Sequence, residues 1–96
     1  MYAVIFKAIA NQQDSDYSKM VKVMRELAFE KYNCQDFLAV QEGEQEIAIS
    51  YWLNEDDIKR WHQDSQHAVA QQLGRDKWYK SYVVEVVEVK RRYSFS

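Results

Sequence analysis

The residues able to do chemistry are concentrated in one stretch. All three tryptophans (Trp52, Trp61 and Trp78), both histidines (His62 and His67) and the Gly74-Arg75 pair lie between Tyr51 and Tyr79. A histidine can move a proton near neutral pH, and an arginine can hold an anionic oxygen. Tyr51, Trp52, Trp61 and Trp78 are of the right type to wall a dry pocket for a flat apolar molecule. His67, His62 and Arg75 are therefore the candidate catalytic residues, and those four aromatic residues the candidate substrate pocket. Each has a plainer reading. A tryptophan on a helix stripe usually belongs to the core. His62 suits an interface, and Arg75 after a glycine suits the surface or a subunit contact.

Other chemistries lack their residues. No His, Asp and Glu cluster has zinc spacing. Two glycines are too few for a phosphate cradle, and no serine sits in a nucleophile elbow. Asp56 and Asp57 are adjacent on a predicted helix and diverge, so they make a poor acid–base pair. Cys34 is the one cysteine, which excludes an internal disulfide; it is expected to be structural. The net charge is −2 with mixed signs, so there is no electrostatic footprint for nucleic acid or an anionic membrane. Lys90-Arg91-Arg92 reads as a solvated strand end. No stretch approaches the roughly 20 apolar residues of a membrane span. The apolar start, Met1 to Lys7, is too short for a signal peptide, and a cytoplasmic location is the expectation.

The elements that must position these residues follow from periodicity. The 96 residues make one domain. Tyr2 to Ala10 reads as a strand with both faces apolar. Tyr17, Met20, Val21, Met24, Leu27 and Ala28 recur at helical spacing, after a cap at Ser15 or Asp16 and before a terminator at Asn33. Met20 and Met24 are of a type that lines pockets, although filling the core is their commoner use. Phe37 to Gln41 and Ile47 to Trp52 are two short strands joined through a turn at Glu42-Gly43-Glu44-Gln45. Asn54 caps a second helix whose first turn carries Glu55, Asp56 and Asp57. Its inward stripe is Ile58, Trp61, His62, Ser65 and Val69. In a continuous helix His67 points away from Ile58 at about 100° per residue; a break at Asp64-Ser65 would free its direction. Gly74 suits the left-handed position beyond a helix end, and Arg75 to Lys80 a connector. Tyr82 to Val89 is the last strand.

The order βαββαβ is that of a ferredoxin-like α+β fold: a four-stranded antiparallel sheet with two helices on one face. Two helices cover only one face, yet the first, third and fourth strands are apolar on both. A second copy packed sheet to sheet would cover the other, so a homodimer is expected.

Tyr51-Trp52, the acidic helix start Asn54-Glu55-Asp56-Asp57-Ile58, then Trp61, His67, Gly74-Arg75, Trp78-Tyr79 and Tyr82 resemble the second half of the antibiotic biosynthesis monooxygenase (ABM) superfamily. The motif-bearing resemblance covers about residues 47 to 93. It implies a dimeric α+β barrel with a cavity between sheet and helices. It also implies oxidation of a small aromatic or quinone-like compound without a dedicated cofactor: a deprotonated phenol donates an electron to oxygen itself, in a dry pocket that stabilises the anion. Two alternatives accompany it. One is a non-catalytic dimer that binds a small apolar ligand. The other is haem degradation, in which that branch resembles a first-strand Asn, a helix Trp and an axial His about ten residues later. Trp61 matches the Trp, but the first strand carries Lys7, Asn11 lies beyond it, and the expected His position falls on Gln71. His67 comes one turn early, so a haem ligand there departs from the pattern.

Overall fold

The computed structural model describes residues 1–71 and 74–96, with the side chains of Ala70 and Gln71 outside the description. Its elements are β1 (Tyr2–Ala10), α1 (Ser15–Glu30), β2 (Asp36–Glu42), β3 (Gln45–Trp52), α2 (Glu55–Gln71), α3 (Gly74–Trp78) and β4 (Tyr79–Glu88). The strands form one antiparallel sheet in the order β2-β3-β1-β4. This is the ferredoxin-like α+β arrangement, with a short third helix added before the last strand.

Side-chain alternation assigns the faces. In register, Val4 lies opposite Ser50 and Val86, and Phe6 opposite Ala48 and Val84. This face looks toward the helices. Its core is Val4, Ala28, Tyr32, Cys34, Trp52 and Ile58, with Tyr2, Phe37, Trp61 and Val84 packed against it. The other face carries Ile5 opposite Ile49, which is itself opposite Leu38. Among the described residues no helix packs over it, although Arg92 of the C-terminal segment reaches Tyr51 on this side. Lys7 and Glu85 pair across it at 3.5 Å.

The helix boundaries have local causes. Asp14, rather than Ser15 or Asp16, caps α1: its Oδ1 accepts from the Tyr17 amide at 3.1 Å. Asp14 also pairs with Lys77 and accepts from Trp78 Nε1 at 3.2 Å, contacts across the fold that neighbouring residues in sequence could not reveal. The Lys77 hydrogen bond, followed by the Tyr17 amide, holds its carboxyl down at about 2. Beyond α1, Asn33 takes a positive φ of 60°, as a helix terminator does. Gly43, with φ of 58°, starts the two-residue link between Glu42 and Gln45.

α2 starts where the sequence places it. Asn54 Oδ1 accepts from the Asp57 amide at 2.9 Å, and Asn54 Nδ2 donates to Asp57 Oδ2 at 3.0 Å. The helix then runs through Asp64-Ser65 without a break. Both of these cap-type residues spend their polar groups elsewhere. Asp64 accepts from the Tyr32 hydroxyl and lies 3.8 Å from Lys31, while Ser65 Oγ donates back to the Trp61 carbonyl at 2.9 Å.

Gly74 is not a left-handed helix end. It opens α3 and is absent from the positive-φ positions. Its role is space: a Cβ there would stand 2.3 Å from the Trp78 ring. The expected connector is thus a helical turn folded onto its own tryptophan.

Candidate functional site

The helices stand off the sheet enough to leave a cleft of about 370 Å³ between them, within the range of small-molecule sites. The sheet contributes Phe6, Ala48 and Val84 as its floor. From α1 come Met20, Val21 and Met24, and from α2 the stripe Ile58, Trp61, His62, Ser65 and Val69. The helical spacing of that stripe places all five on one side. Met20 and Met24 line the cleft, the pocket use that ranked second in the sequence reading.

Trp61 is anchored by its indole Nε1, which donates to the Met24 carbonyl at 2.8 Å. Its ring packs against Phe37 (6.1 Å between centroids) and Trp52 (5.3 Å). Buried aromatic residues with a polar atom need such a partner. His62 is exposed and sits at the cleft rim with Lys59 and Gln66. Arg25, also lining the cleft, stacks its guanidinium 5.1 Å from the Phe37 ring centre and donates to the Phe37 carbonyl at 2.9 Å.

At the β1–β4 end the rings of Phe6, Tyr79 and Tyr82 lie 5.5 to 5.6 Å apart. Tyr17 stands edge-on to Tyr79 at 5.9 Å. Its hydroxyl donates to Glu46 Oε1 at 2.6 Å, and Gln13 Nε2 donates to Glu46 Oε2 at 3.2 Å. Burial, then the Glu46 hydrogen bond, push ionisation of Tyr17 far above the usual phenol range. Burial is also the first cause raising Tyr79, to about 12. Glu46 lines the cleft. The sequence reading passed over it, since a lone glutamate just after a turn looks like a solvated strand start. The period-two alternation that turns Glu46 to the face of Ala48 and Ser50 was the available signal.

Several expected site residues lie elsewhere. Tyr51 is on the uncovered face, because it is one residue out of phase with Ser50 and Trp52; the Arg92 guanidinium sits 5.7 Å from its ring centre. Trp52 is on the correct face but 0% exposed, with Nε1 donating to Ser50 Oγ at 2.8 Å. It supports Trp61 from behind and does not line the cleft. Trp78 is likewise 0% exposed and packs edge-on to Tyr17 at 5.5 Å, closing the far end outside the cleft lining. His67 is exposed on the side of the continuous α2 away from the cleft. Arg75 is exposed, 3.4 Å from Asp76 Oδ1, and does not reach the cleft. Of the expected residues the fold brings Trp61 and His62 together at the cleft, and not Tyr51, Trp52, Trp78, His67 or Arg75. The side chain of Gln71 lies outside the described residues. Cys34 is buried, and burial raises its thiol pKa, the setting of an inert cysteine.

Among the described residues no group of three or more His, Cys, Asp and Glu side chains could hold a metal ion. No described helix is long and apolar enough to cross a membrane.

Comparison with known proteins places this architecture. No protein-family model matches the sequence. The uncharacterized protein YqjZ of Bacillus subtilis (strain 168) is 34% identical over 95 residues, covering 98% of this chain and 83% of that protein. Among solved structures, a point mutant of SnoaB, a cofactor-independent oxygenase from Streptomyces nogalater, superposes with a TM-score of 0.73 at 7% identity, covering 95% of this chain and 94% of that one. A candidate antibiotic biosynthesis monooxygenase from Deinococcus radiodurans gives 0.64 at 8% identity, covering 100% and 99%. Identities that low speak for the fold, whereas the relation to YqjZ speaks for kinship. The chain belongs to the same family as YqjZ, and it carries the ferredoxin-like α+β fold of the antibiotic biosynthesis monooxygenase superfamily.

Proposed function

We propose that this protein is a cytoplasmic homodimer that takes a small aromatic or quinone-like compound into the cleft and oxidises it with dioxygen, without a dedicated cofactor. The observation that carries the reading is the cleft itself. It is walled by Phe6, Phe37, Trp61, Tyr79 and Tyr82, and so matches a flat apolar ligand in chemistry and size. SnoaB, of like fold, is a cofactor-independent oxygenase. The reaction needs no external reductant. A phenol with hydrogen on its para carbon plus dioxygen gives a para-quinone plus water, with one oxygen atom entering the product and one leaving as water. The protein's part is to exclude water, hold the ring, and take up the phenolic proton. His62 stands at the rim for that last task. With His67 turned away from the cleft, an axial haem ligand at that position has no support from the geometry.

The uncovered sheet face supports the dimer. Leu38, Val40 and Val83 are 57%, 55% and 54% exposed on it, apolar surface interrupted by the Lys7–Glu85 pair and of the kind that a second copy buries.

Oxygen uptake with a panel of phenols and hydroquinones tests the reaction. Turnover is expected, with loss in Val84→Trp, which fills the cleft. If the same compounds bind but consume no oxygen, the non-catalytic binder replaces the enzyme. If nothing binds and Val84→Trp changes nothing, the cleft is not the site.

A further inference from the structure

The polar groups of the cleft are divided by chemistry. Arg25, Lys59 and His62 are donors or cations. Glu46 is the one carboxylate in the lining among the described residues; it stands on the inner strand β3 and accepts from Tyr17, whose ring packs edge-on to Tyr79 and so joins the cluster of Phe6, Tyr79 and Tyr82. An ionised carboxylate offers about four acceptor sites. Tyr17 and Gln13 occupy one on each oxygen, which leaves acceptor capacity on a side chain that faces the cavity. Tyr17 is the weaker acceptor, being neutral and outside the cleft lining. Its hydroxyl proton is committed to Glu46 at 2.6 Å, and it remains protonated at any ordinary pH. Tyr17 and Gln13 therefore fix the direction of the carboxylate without using it up. A charged acceptor held beside apolar ring surface selects ligands that bring a donor on an aromatic body.

We infer that Glu46 is the head-group acceptor of the cleft: it takes a hydrogen bond from the hydroxyl of a phenolic ligand and so distinguishes a hydroxylated aromatic compound from its O-alkylated counterpart. This rests on the reading of the cleft as an aromatic-ligand site, and it names the ligand class within it. The ring lies along Phe6 and Tyr82, the hydroxyl meets Glu46, and the rest of the molecule extends toward Met24 and Trp61. Glu46 is a specificity residue here: the hydroxyl it holds is a different one from the hydroxyl whose proton His62 would take up at the rim.

Isothermal titration calorimetry of the full chain with 1-naphthol and 1-methoxynaphthalene tests it. The wild type binds the naphthol about tenfold more tightly, the order of a hydrogen bond to a charged group. Glu46→Gln reduces that preference to about threefold or less, while the methoxy compound binds as before. Tyr17→Phe, which frees one carboxylate oxygen, keeps the preference. Equal binding of the two compounds by the wild type overturns the assignment but leaves the cleft reading intact, as does an unchanged preference in Glu46→Gln. A loss in Tyr17→Phe equal to that in Glu46→Gln marks the effect as packing and overturns it too. No heat from either compound overturns both readings together.

Discussion

The two faces of the sheet are built from the same kinds of residue and end in opposite situations. On one, Val4, Ala8 and Trp52 are buried beneath α1 and α2. On the other, Leu38, Val40 and Val83 remain more than half exposed, although they are as apolar and pair in the same ladders. The difference lies in how much helix the chain owns. Two long helices cover one face of four strands and no more. Even there they stand away from the strands over part of their length, and that separation becomes the cleft. The covered face thus carries both the core and the candidate site. The uncovered face carries the surface on which the proposed dimer would close.

This contrast can be broken at its strongest point first. Trp52 is fully buried between Ser50 and Trp61, so Trp52→Ala should cost about 3–5 kcal/mol of folding stability, measured by urea unfolding. A loss below about 1 kcal/mol would mean the helix-side core tolerates a large void, and the two faces would differ less than their burial suggests. Ile49 lies on the uncovered face, opposite Ile5 and Leu38. Ile49→Lys should weaken the proposed dimer by about a hundredfold or more, since a charge would enter an apolar interface. Sedimentation at micromolar concentration should then show the 11.5 kDa chain, where the wild type sediments at twice that mass. A wild type that sediments as a monomer removes the partner from the account of that face.

Gly74→Ala should cost about 1–3 kcal/mol, because the new methyl group meets the Trp78 ring that closes the covered side. Thermal unfolding reads it, and an unchanged midpoint would show that Trp78 can shift freely. The smallest effect concerns Asp14. Its folded pKa of about 2 lies below the ordinary 3.8. Its contribution is therefore fully present above the ordinary value and disappears as pH falls from about 4 through about 2. Asp14→Asn should flatten the acid limb of the stability profile in that window and leave the neutral region nearly unchanged in slope. An identical acid limb in the variant would assign it to other carboxylates.

Much of the frame was legible residue by residue. The apolar run Tyr2–Ala10, the glycine between two short strands and the Asn54-to-Asp57 helix start each reported a local geometry, and together they specified the element order. The stripe Ile58, Trp61, His62, Ser65 and Val69 reported one helix face, and that face lines the cleft. The same reasoning failed where a residue's role depends on a contact distant in sequence. Asp64 and Ser65 left a break as an alternative to a continuous helix until Tyr32 and the Trp61 carbonyl take up their polar groups. Gly74 read as a left-handed cap until the Trp78 ring is seen to need its space. The cap of the first helix read as Ser15 or Asp16 until Lys77 and Trp78 are seen to hold Asp14 in that place.

What the sequence determined by itself is the element order and the apolar faces, because these follow from short-range periodicity. What only the tertiary structure decided is which polar and aromatic groups share the cavity. Trp61 and His62 reach it, Tyr51, His67 and Arg75 do not, and Glu46 enters it unannounced. The reason is geometric. A one-residue phase in a strand, or a half-turn of an unbroken helix, moves a side chain to the opposite side of the molecule without changing anything that its neighbours in sequence could report.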